Sequence, residues 1–224
     1  MYNGLYAISY RRIERMNEMI GFYNYTVIPT YISLVSSVFG IISAMNGKPT
    51  IAIFCLMVSG LLDMFDGKIA RTRKRTAAEK NFGIQLDSLC DLVCFGVLPT
   101  AIGFSLGLTN VLYTIIFALY ILGALIRLAY FNVMEEERQK STDSVRKYYE
   151  GLPVTSVSLI LPFFYGFKSL IGKAFPIFYA VLLMIIAVLF VSKIKVRKPG
   201  WPGLIAMMSV GLVEIIFIIA MLFV

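Results

Sequence analysis

The chain has 224 residues, of which 58% are hydrophobic and only 15% are charged, and its 21 Lys and Arg residues outnumber 13 Asp and Glu residues. Soluble domains carry about 25% charged residues and disordered chains are poor in apolar and aromatic residues, so the composition excludes both classes. The net charge of +8 is spread over short segments between apolar runs, so we expect no nucleic-acid partner. The sequence predicts an all-α polytopic membrane bundle.

Residues 1–26 precede the first apolar run. Within them, residues 2–20 mix charged and apolar side chains and lack the continuous apolar run and small-residue cleavage site of a signal peptide. They predict an amphipathic helix that lies on the membrane surface.

Seven apolar runs follow, and each predicts a membrane-spanning helix, since roughly 20 residues cross the hydrocarbon core. The fifth run is short and contains Pro162, so we expect about seven crossings, within a range of roughly six to eight. Residues 27–192 form the predicted transmembrane domain, and residues 193–224 add a basic loop and one more helix. The runs cover residues 27–45, 51–70, 82–106, 111–134, 154–171, 175–192 and 203–224.

The segments between the runs divide the positive charge unevenly. If the N-terminus lies in the cytoplasm, 17 of the 21 Lys and Arg residues are cytoplasmic, Lys48, Lys168 and Lys173 lie outside, and Arg127 lies within the fourth run. Because positive charge favours the cytoplasmic side, this split predicts a multi-pass protein of the cell membrane with a cytoplasmic N-terminus. The end of the second run and the start of the third then face the cytoplasm.

Four aspartates lie near these cytoplasmic ends: Asp63 and Asp66 in the second run, Asp87 and Asp91 in the third. A charged residue costs roughly 2.5–3.5 kcal/mol at the centre of a membrane helix, so four would cost on the order of 10 kcal/mol. Each pair lies within one helical turn, and the antiparallel arrangement of the two helices brings the pairs together. Convergent carboxylates form a hard oxygen site that favours Mg²⁺, Mn²⁺ or Ca²⁺, and two divalent ions would cancel the charge.

Small residues accompany the first acid pair. Gly67 and Ala70 follow Asp66, and Arg71 comes directly after them. In the functional interpretation, the small residues leave room for a ligand whose phosphate Arg71 reaches. In the structural interpretation, they only permit close helix packing, as small-xxx-small patterns do in membranes. The four acids nearby favour the functional interpretation.

The combined pattern is Asp63-x2-Asp66-Gly67-x2-Ala70-Arg71, then Gly83-x3-Asp87-x3-Asp91. It resembles the signature of the CDP-alcohol phosphatidyltransferase family. Eleven residues separate Arg71 from Gly83, a few more than in many members, and Lys80 stands where a small hydroxyl residue often precedes the glycine. Residues 82–91, 95–99, 125–133 and 151–155 are also similar to the phosphatidylserine synthase branch of the family. The resemblance covers about residues 29–155 of the chain.

The resemblance implies a reaction in which the hydroxyl of L-serine attacks the lipid-linked phosphorus of CDP-diacylglycerol or CDP-archaeol and releases CMP. It implies two divalent cations, Mg²⁺ or Mn²⁺ with Ca²⁺ as a third candidate, and a homodimer in the lipid bilayer. Asp63, Asp66 and Asp87 would hold metal, whereas Asp91 would act as the base and also contact metal.

The resemblance also implies a CDP-lipid site. The cytidine would lie near Gly67 and Ala70, with the entrance of the first helix closing over it. Arg71 would contact a phosphate together with one loop residue, which is either Lys80 or Thr76. The complete set of residues assigned to the CDP-lipid is Pro29, Thr30, Ser33, Gly67, Ala70, Arg71, Thr76, Lys80 and Gly83.

Arg127 is the one cation deep in a run. An intramembrane arginine is a functional candidate because leaving it unpaired is costly. Two interpretations stand: a clamp for the serine carboxylate or the donor phosphate, or a structural pair with one of the aspartates. The lone acid of the last run, Glu214, also has several interpretations: a buried hydrogen-bonded acid, a dimer contact, or an acid that faces a polar pocket.

The three cysteines, Cys55, Cys90 and Cys94, lie in apolar runs and are expected to be packing residues. Cys94 shares a helix stripe with Asp87, but the chain contains no His, which disfavours a zinc site.

Two other functions compete with the serine transferase. A sister transferase would use inositol phosphate or glycerol phosphate, but apart from Arg127 the predicted helices supply few cations for a phosphorylated acceptor. A cation transporter would also carry intramembrane acids, although near mid-membrane and in several helices rather than crowded at one end.

Overall fold

The computed structural model of the chain describes residues 20–70, 72–141, 148–197 and 200–221. The predicted amphipathic helix lies outside the described residues, apart from Ile20, and so does Arg71. A π-helical segment spans Leu92–Val97 and connects the α-helices before and after it. The helices and strands are α1 (Ile28–Met45), α2 (Pro49–Ala70), α3 (Ala77–Asp91), α4 (Leu98–Ser105), α5 (Val111–Ser141), β1 (Tyr148–Glu150), α6 (Val157–Gly166), α7 (Lys168–Ile171), α8 (Phe175–Val191), β2 (Lys195–Arg197) and α9 (Trp201–Met221).

Six helical stretches within the described residues are long and apolar enough to cross a membrane. One of them combines α3, the π-helical segment and α4, and another begins at α7 and continues through α8. The chain is therefore a polytopic helical membrane protein, as its sequence predicts. The six stretches are Tyr25–Met45, Pro49–Ala70, Ala77–Ser105, Val111–Arg138, Lys168–Val191 and Pro202–Met221.

The fifth predicted run forms a shorter apolar segment, Val154–Gly166. Pro162 lies inside α6, and the helix ends at Gly166 with Phe167 as its C-cap. At ~1.5 Å per residue the segment spans about 20 Å, less than the roughly 30 Å of the hydrocarbon core. It packs against α2 and α9, and Val157 and Leu161 are fully buried. The predicted seven crossings thus become six long stretches and one short buried segment.

α1 and α2 pack tightly through small and hydroxyl-bearing side chains. At Gly40, an added Cβ would lie only 2.8 Å from the Cβ of Cys55. Ser37 Oγ and Ser59 Oγ share a hydrogen bond of 2.8 Å, and Ser36 Oγ donates to the carbonyl of Cys55 at 3.2 Å. In a bilayer, where apolar side chains gain little by leaving lipid, close packing and such hydrogen bonds hold helices together. This contact fixes α2, which carries the first two aspartates.

The π-helical segment Leu92–Val97 contains a backbone irregularity that neighbouring helices stabilise. Pro99 has no N–H and so cannot donate to the carbonyl of Phe95 in the α-helical pattern. The hydroxyl of Tyr120 on α5 donates to that carbonyl at 2.8 Å. The hydroxyl of Tyr179 on α8 donates to the carbonyl of Pro99 at 3.0 Å. Two fully buried tyrosines therefore tie α5 to this segment and α8 to the first turn of α4.

A two-stranded antiparallel sheet, which the all-α prediction did not include, joins the chain before α6 to the chain after α8. Glu150 pairs with Lys195 in this sheet. Gly151 follows at φ +77°, and its N–H donates to the carbonyl of Ile194 at 2.8 Å. An added Cβ at Gly151 would lie 2.6 Å from the carbonyl oxygen of Phe190, so this position requires glycine. The sheet fixes residues 151–155 against the end of α8.

Replacing Tyr120 by Phe removes the hydroxyl that donates to Phe95. Because the carbonyl is buried, we expect a loss of about 1–2 kcal/mol in stability and a lower Tm, measured by thermal unfolding in detergent. Tyr113→Phe on the same helix is the matched control, since the Tyr113 hydroxyl makes no hydrogen bond among the described residues. Equal Tm values for the two variants would contradict this role of Tyr120.

Candidate functional site

The first acid pair lies on the last turns of α2. Asp63 and Asp66 are half-buried, and the helix ends at Ala70. Beyond the helix end, the N–H and the hydroxyl of Thr72 both donate to the carbonyl of Ile69, at 3.1 and 2.8 Å. The Thr72 hydroxyl also lies 2.9 Å from the hydroxyl of Tyr25, just before α1. These contacts anchor the end of α2, and with it the aspartates, to the start of α1.

The second acid pair lies on α3, which begins five residues earlier than the predicted run. Thr76 and Glu79 form a capping box: the N–H of Glu79 donates to Thr76 Oγ1 at 3.2 Å, and the N–H of Thr76 donates to Glu79 Oε2 at 2.8 Å. The Thr-x-x-Glu pattern is a known helix-start signal. As a result Lys80 belongs to the first turns of α3, and Asp91 is its last residue.

The hairpin of α2 and α3 brings three of the four aspartates together. Asp63, Asp66 and Asp87 each offer a carboxylate oxygen, and these oxygens all lie within 4.8 Å of one another. Asp91 lies one turn after Asp87 at the end of α3 and is not part of this group. Three of the four carboxylates that the sequence predicts to converge are therefore grouped in the structure.

These residues fit a divalent cation. Several carboxylates at this spacing repel one another in an apolar surrounding, and hard oxygen donors are the set that Mg²⁺, Mn²⁺ and Ca²⁺ prefer. Among the described residues, the group that could hold a metal ion consists only of aspartates. Cys90 and Cys94 are free, buried thiols that do not belong to it, so the geometry does not favour zinc.

A layer of small polar side chains lies one turn deeper than Asp63. Ser59 Oγ donates to the carbonyl of Ser33 at 3.1 Å, and Ser33 Oγ lies 3.5 Å from Cys94 Sγ. Ser33 was predicted to close over the cytidine, whereas its observed contacts join α1 to α2 and to the π-helical segment. Pro29 and Thr30, which were assigned to the CDP-lipid together with Ser33, are also buried at the start of α1.

Gly67 faces open space. An added Cβ would meet no heavy atom within 4 Å, and the residue is exposed. Close helix packing, the structural interpretation, therefore does not explain this glycine. Ala70, one turn later, lines a cavity instead. Both positions agree with the functional interpretation that space beside the acids is kept for a ligand.

The cavity beside Ala70 has a volume of about 490 Å³ and a basic lining. From the sequence, the predicted phosphate contacts were Arg71 and either Lys80 or Thr76, and Arg75 was not among them. Arg75 lies over the signature glycine: its Nη1 would be 3.2 Å from a Cβ added at Gly83. Because Gly83 has no side chain, the guanidinium of Arg75 has room to lie at this position. The cavity-lining residues are Ala70, Arg73, Lys74, Arg75 and Lys80.

Arg127 is buried on α5, with 7% of its surface exposed. Its guanidinium carbon lies 4.9 Å from the centre of the Phe131 ring, and the charge interacts electrostatically with Asp63. This neighbour favours the pairing interpretation. Glu214, by contrast, is buried on α9, and its Oε2 makes no hydrogen bond among the described residues. It is not one of the grouped acids.

Residues 23–212 match the model of the family described as CDP-alcohol phosphatidyltransferase. The chain belongs to this family. The members of this phosphatidyltransferase family generally use divalent metal, which agrees with the aspartate cluster. No solved structure matches the chain.

Several relatives in the CDP-alcohol phosphatidyltransferase family carry related names. The chain is 38% identical over 122 residues to the CDP-diacylglycerol–serine O-phosphatidyltransferase of Saccharomyces cerevisiae, which covers 52% of this chain but only 43% of the yeast protein. It is 25% identical over 186 residues to the archaetidylserine synthase of Methanothermobacter thermautotrophicus, covering 80% and 73% of the two chains. It is 29% identical over 173 residues to the CDP-diacylglycerol–serine O-phosphatidyltransferase of Methanocaldococcus jannaschii, covering 76% and 74%.

Replacing Asp66 by Asn tests the metal site directly. The change removes a carboxylate ligand, so we expect Mn²⁺ affinity to fall by at least about tenfold, measured by titration calorimetry on purified protein. Glu214→Gln is the matched control because it converts another membrane acid to its amide outside the cluster. Unchanged Mn²⁺ binding in Asp66→Asn would remove Asp66 from the ligand set.

Proposed function

We propose that the chain transfers the phosphatidyl or archaetidyl group of a CDP-linked lipid to the hydroxyl of L-serine and releases CMP. The observation that carries the proposal is the convergence of Asp63, Asp66 and Asp87 beside a basic cavity, in a member of the CDP-alcohol phosphatidyltransferase family. Serine is favoured over other acceptors because relatives from yeast and archaea are named for transfer to serine or for archaetidylserine synthesis.

The donor binds between the acids and the basic cavity. The nucleotide occupies the open space at Gly67 and extends past Ala70, where no side chain blocks it. Arg75 and Lys80 attract the diphosphate, and Arg71 follows Ala70 directly in the chain. In this assignment Thr76 serves mainly as the N-cap of α3, and Arg75 joins Lys80 as a phosphate contact.

Asp63, Asp66 and Asp87 would hold two divalent cations, either Mg²⁺ or Mn²⁺. Such ions supply charge neutralisation on the diphosphate and orient the reacting groups. Asp91 accepts the proton of the serine hydroxyl as the hydroxyl oxygen forms a bond to the lipid-linked phosphorus. The bond from that phosphorus to the bridging oxygen breaks, and CMP leaves with the electron pair.

Arg127 orients the acceptor in this proposal. Its charge lies near Asp63, and stacking on Phe131 restricts the guanidinium plane. A serine carboxylate that enters the site would meet this group as a planar, two-pronged donor. The interaction with Asp63 and the contact with serine are compatible, because one guanidinium has five N–H donors.

The reaction takes place at the cytoplasmic face of the cell membrane. The segment that contains Arg73, Lys74, Arg75 and Lys80 carries the positive charge that marks cytoplasmic loops. A soluble serine molecule reaches the acids from that face, while the acyl or isoprenoid chains of the donor stay in the bilayer. A homodimer is proposed from the family resemblance alone.

An acceptor panel tests the function. With one CDP-lipid and Mg²⁺ or Mn²⁺, we expect metal-dependent CMP release with L-serine and little with inositol phosphate, glycerol phosphate or glycerol. Asp91→Asn should lower the rate by about 10²–10⁴-fold, the usual contribution of a general base. Preference for a phosphorylated acceptor would identify a sister transferase, and wild-type CMP release by Asp91→Asn would remove the base assignment.

Gly67→Leu separates ligand space from helix packing. Because a side chain at Gly67 meets nothing within 4 Å, we expect an unchanged or slightly higher Tm, since leucine favours helix more than glycine. The KM for the CDP-lipid should rise by roughly tenfold or more through steric exclusion, the scale of ~1.4 kcal/mol. Ala206→Leu, at an exposed position on α9, is the control for added bulk. A normal donor KM in Gly67→Leu would contradict the proposed nucleotide position.

A further inference from the structure

Ser88 and Asn132 form a hydrogen-bonded pair between α3 and α5. Ser88 Oγ lies 3.1 Å from Asn132 Oδ1 and 2.9 Å from Asn132 Nδ2, so the hydroxyl can donate to the amide oxygen and accept from the amide nitrogen. Both side chains are half-buried. Neither residue belongs to the acid cluster or lines the basic cavity.

The position of the pair relates it to the acids. Ser88 directly follows Asp87 and precedes Asp91 by three residues, so it shares one helical turn with each of them. On the other side, Asn132 lies on the same helix as Arg127, whose charge interacts with Asp63. The pair therefore joins the helix that carries two acids to the helix that carries the buried cation.

A neutral link suits this location. Four carboxylates on α2 and α3 repel one another, and the repulsion tends to move α3 away from α2 before a cation binds. A hydroxyl–amide pair holds α3 in place without adding charge and without competing for the cation, as a carboxylate or a lysine would. In a bilayer such hydrogen bonds between helices persist because water is scarce as an alternative partner.

We infer that Asn132 is a positioning residue that, through Ser88, holds Asp87 and Asp91 at the spacing at which the aspartate cluster binds a divalent cation. The inference rests on the proposed function for the identity of the site. Asn132 acts on the metal site through α3, and it contacts neither the acceptor nor the donor.

Metal binding tests this role without using the reaction. We expect Ser88→Ala and Asn132→Leu each to weaken Mn²⁺ affinity by about five- to tenfold, measured by titration calorimetry on the full chain in lipid nanodiscs. The double variant should bind no more weakly than either single variant, since both changes remove the same link. Ser88→Thr, which keeps the hydroxyl, should bind Mn²⁺ with an affinity close to that of the wild type.

The kinetic parameters give a second measurement. In Ser88→Ala, Asn132→Leu and the double variant, we expect a lower kcat at limiting metal and recovery of kcat at excess metal. The KM for serine should be unchanged in these variants. Thr50→Val is the matched control because it breaks another hydrogen bond between helices, the 2.8 Å contact of Thr50 Oγ1 with the Tyr165 hydroxyl. It should lower the Tm and leave Mn²⁺ affinity unchanged.

Several results would overturn the inference. Additive losses in the double variant would show that Ser88 and Asn132 act separately. A raised KM for serine in Asn132→Leu, with Ser88→Ala silent, would make Asn132 an acceptor contact. Wild-type Mn²⁺ affinity in both single variants would leave the pair a purely structural link. If the wild type binds Mn²⁺ but releases no CMP with any acceptor, the proposed function fails while the binding test of Asn132 still applies.

Discussion

The structure depends on one constraint: a cluster of carboxylates must be accommodated inside a predominantly apolar helical bundle. At roughly 2.5–3.5 kcal/mol for each acid in a membrane helix, the cluster would cost on the order of 10 kcal/mol if it stayed charged and unneutralised, which is comparable with the stability of a whole domain. Convergence allows a bound cation to offset this cost, because carboxylate oxygens within 4.8 Å of one another can share a cation. Scattered acids cannot. The α2–α3 hairpin exists in this form because both acid pairs must lie at the same end of the bundle.

The helices around the hairpin limit its movement with neutral groups. Ser33, Ser37 and Ser59 fasten α1 to α2 below the first acid pair, and Tyr120 holds the irregular segment that follows the second. Each of these contacts joins a hydroxyl to another hydroxyl or to a backbone carbonyl, so none introduces a further charge to be neutralised. In lipid, where hydrophobic burial drives helix association only weakly, such contacts have a larger share in positioning the site than they would in a soluble protein.

The sequence was sufficient for features that depend on local spacing. The membrane segments follow from the length of apolar runs, and the aspartate cluster follows from two acid pairs on adjacent antiparallel helices. The early start of α3 was also encoded, in Thr76 and Glu79, although the apolar run began later. Other features join residues distant in the chain and leave no local pattern. The contact of Asn132 with Ser88 is one example, and the donation from Tyr120 to a carbonyl freed by Pro99 is another.

The two ends of the acid cluster have different surroundings, and this difference argues against an ion path. Below the carboxylates the polar layer includes Ser37, and one turn farther along α1 the fully buried side chain of Leu98 packs beside Gly40. An ion path would need polar groups or water to continue beyond that point. At the opposite end the cavity is lined by basic side chains, including Arg75, that repel a bare cation and attract phosphate. The apolar layer on one side and the basic cavity on the other favour a phosphate-bearing ligand over a transported cation.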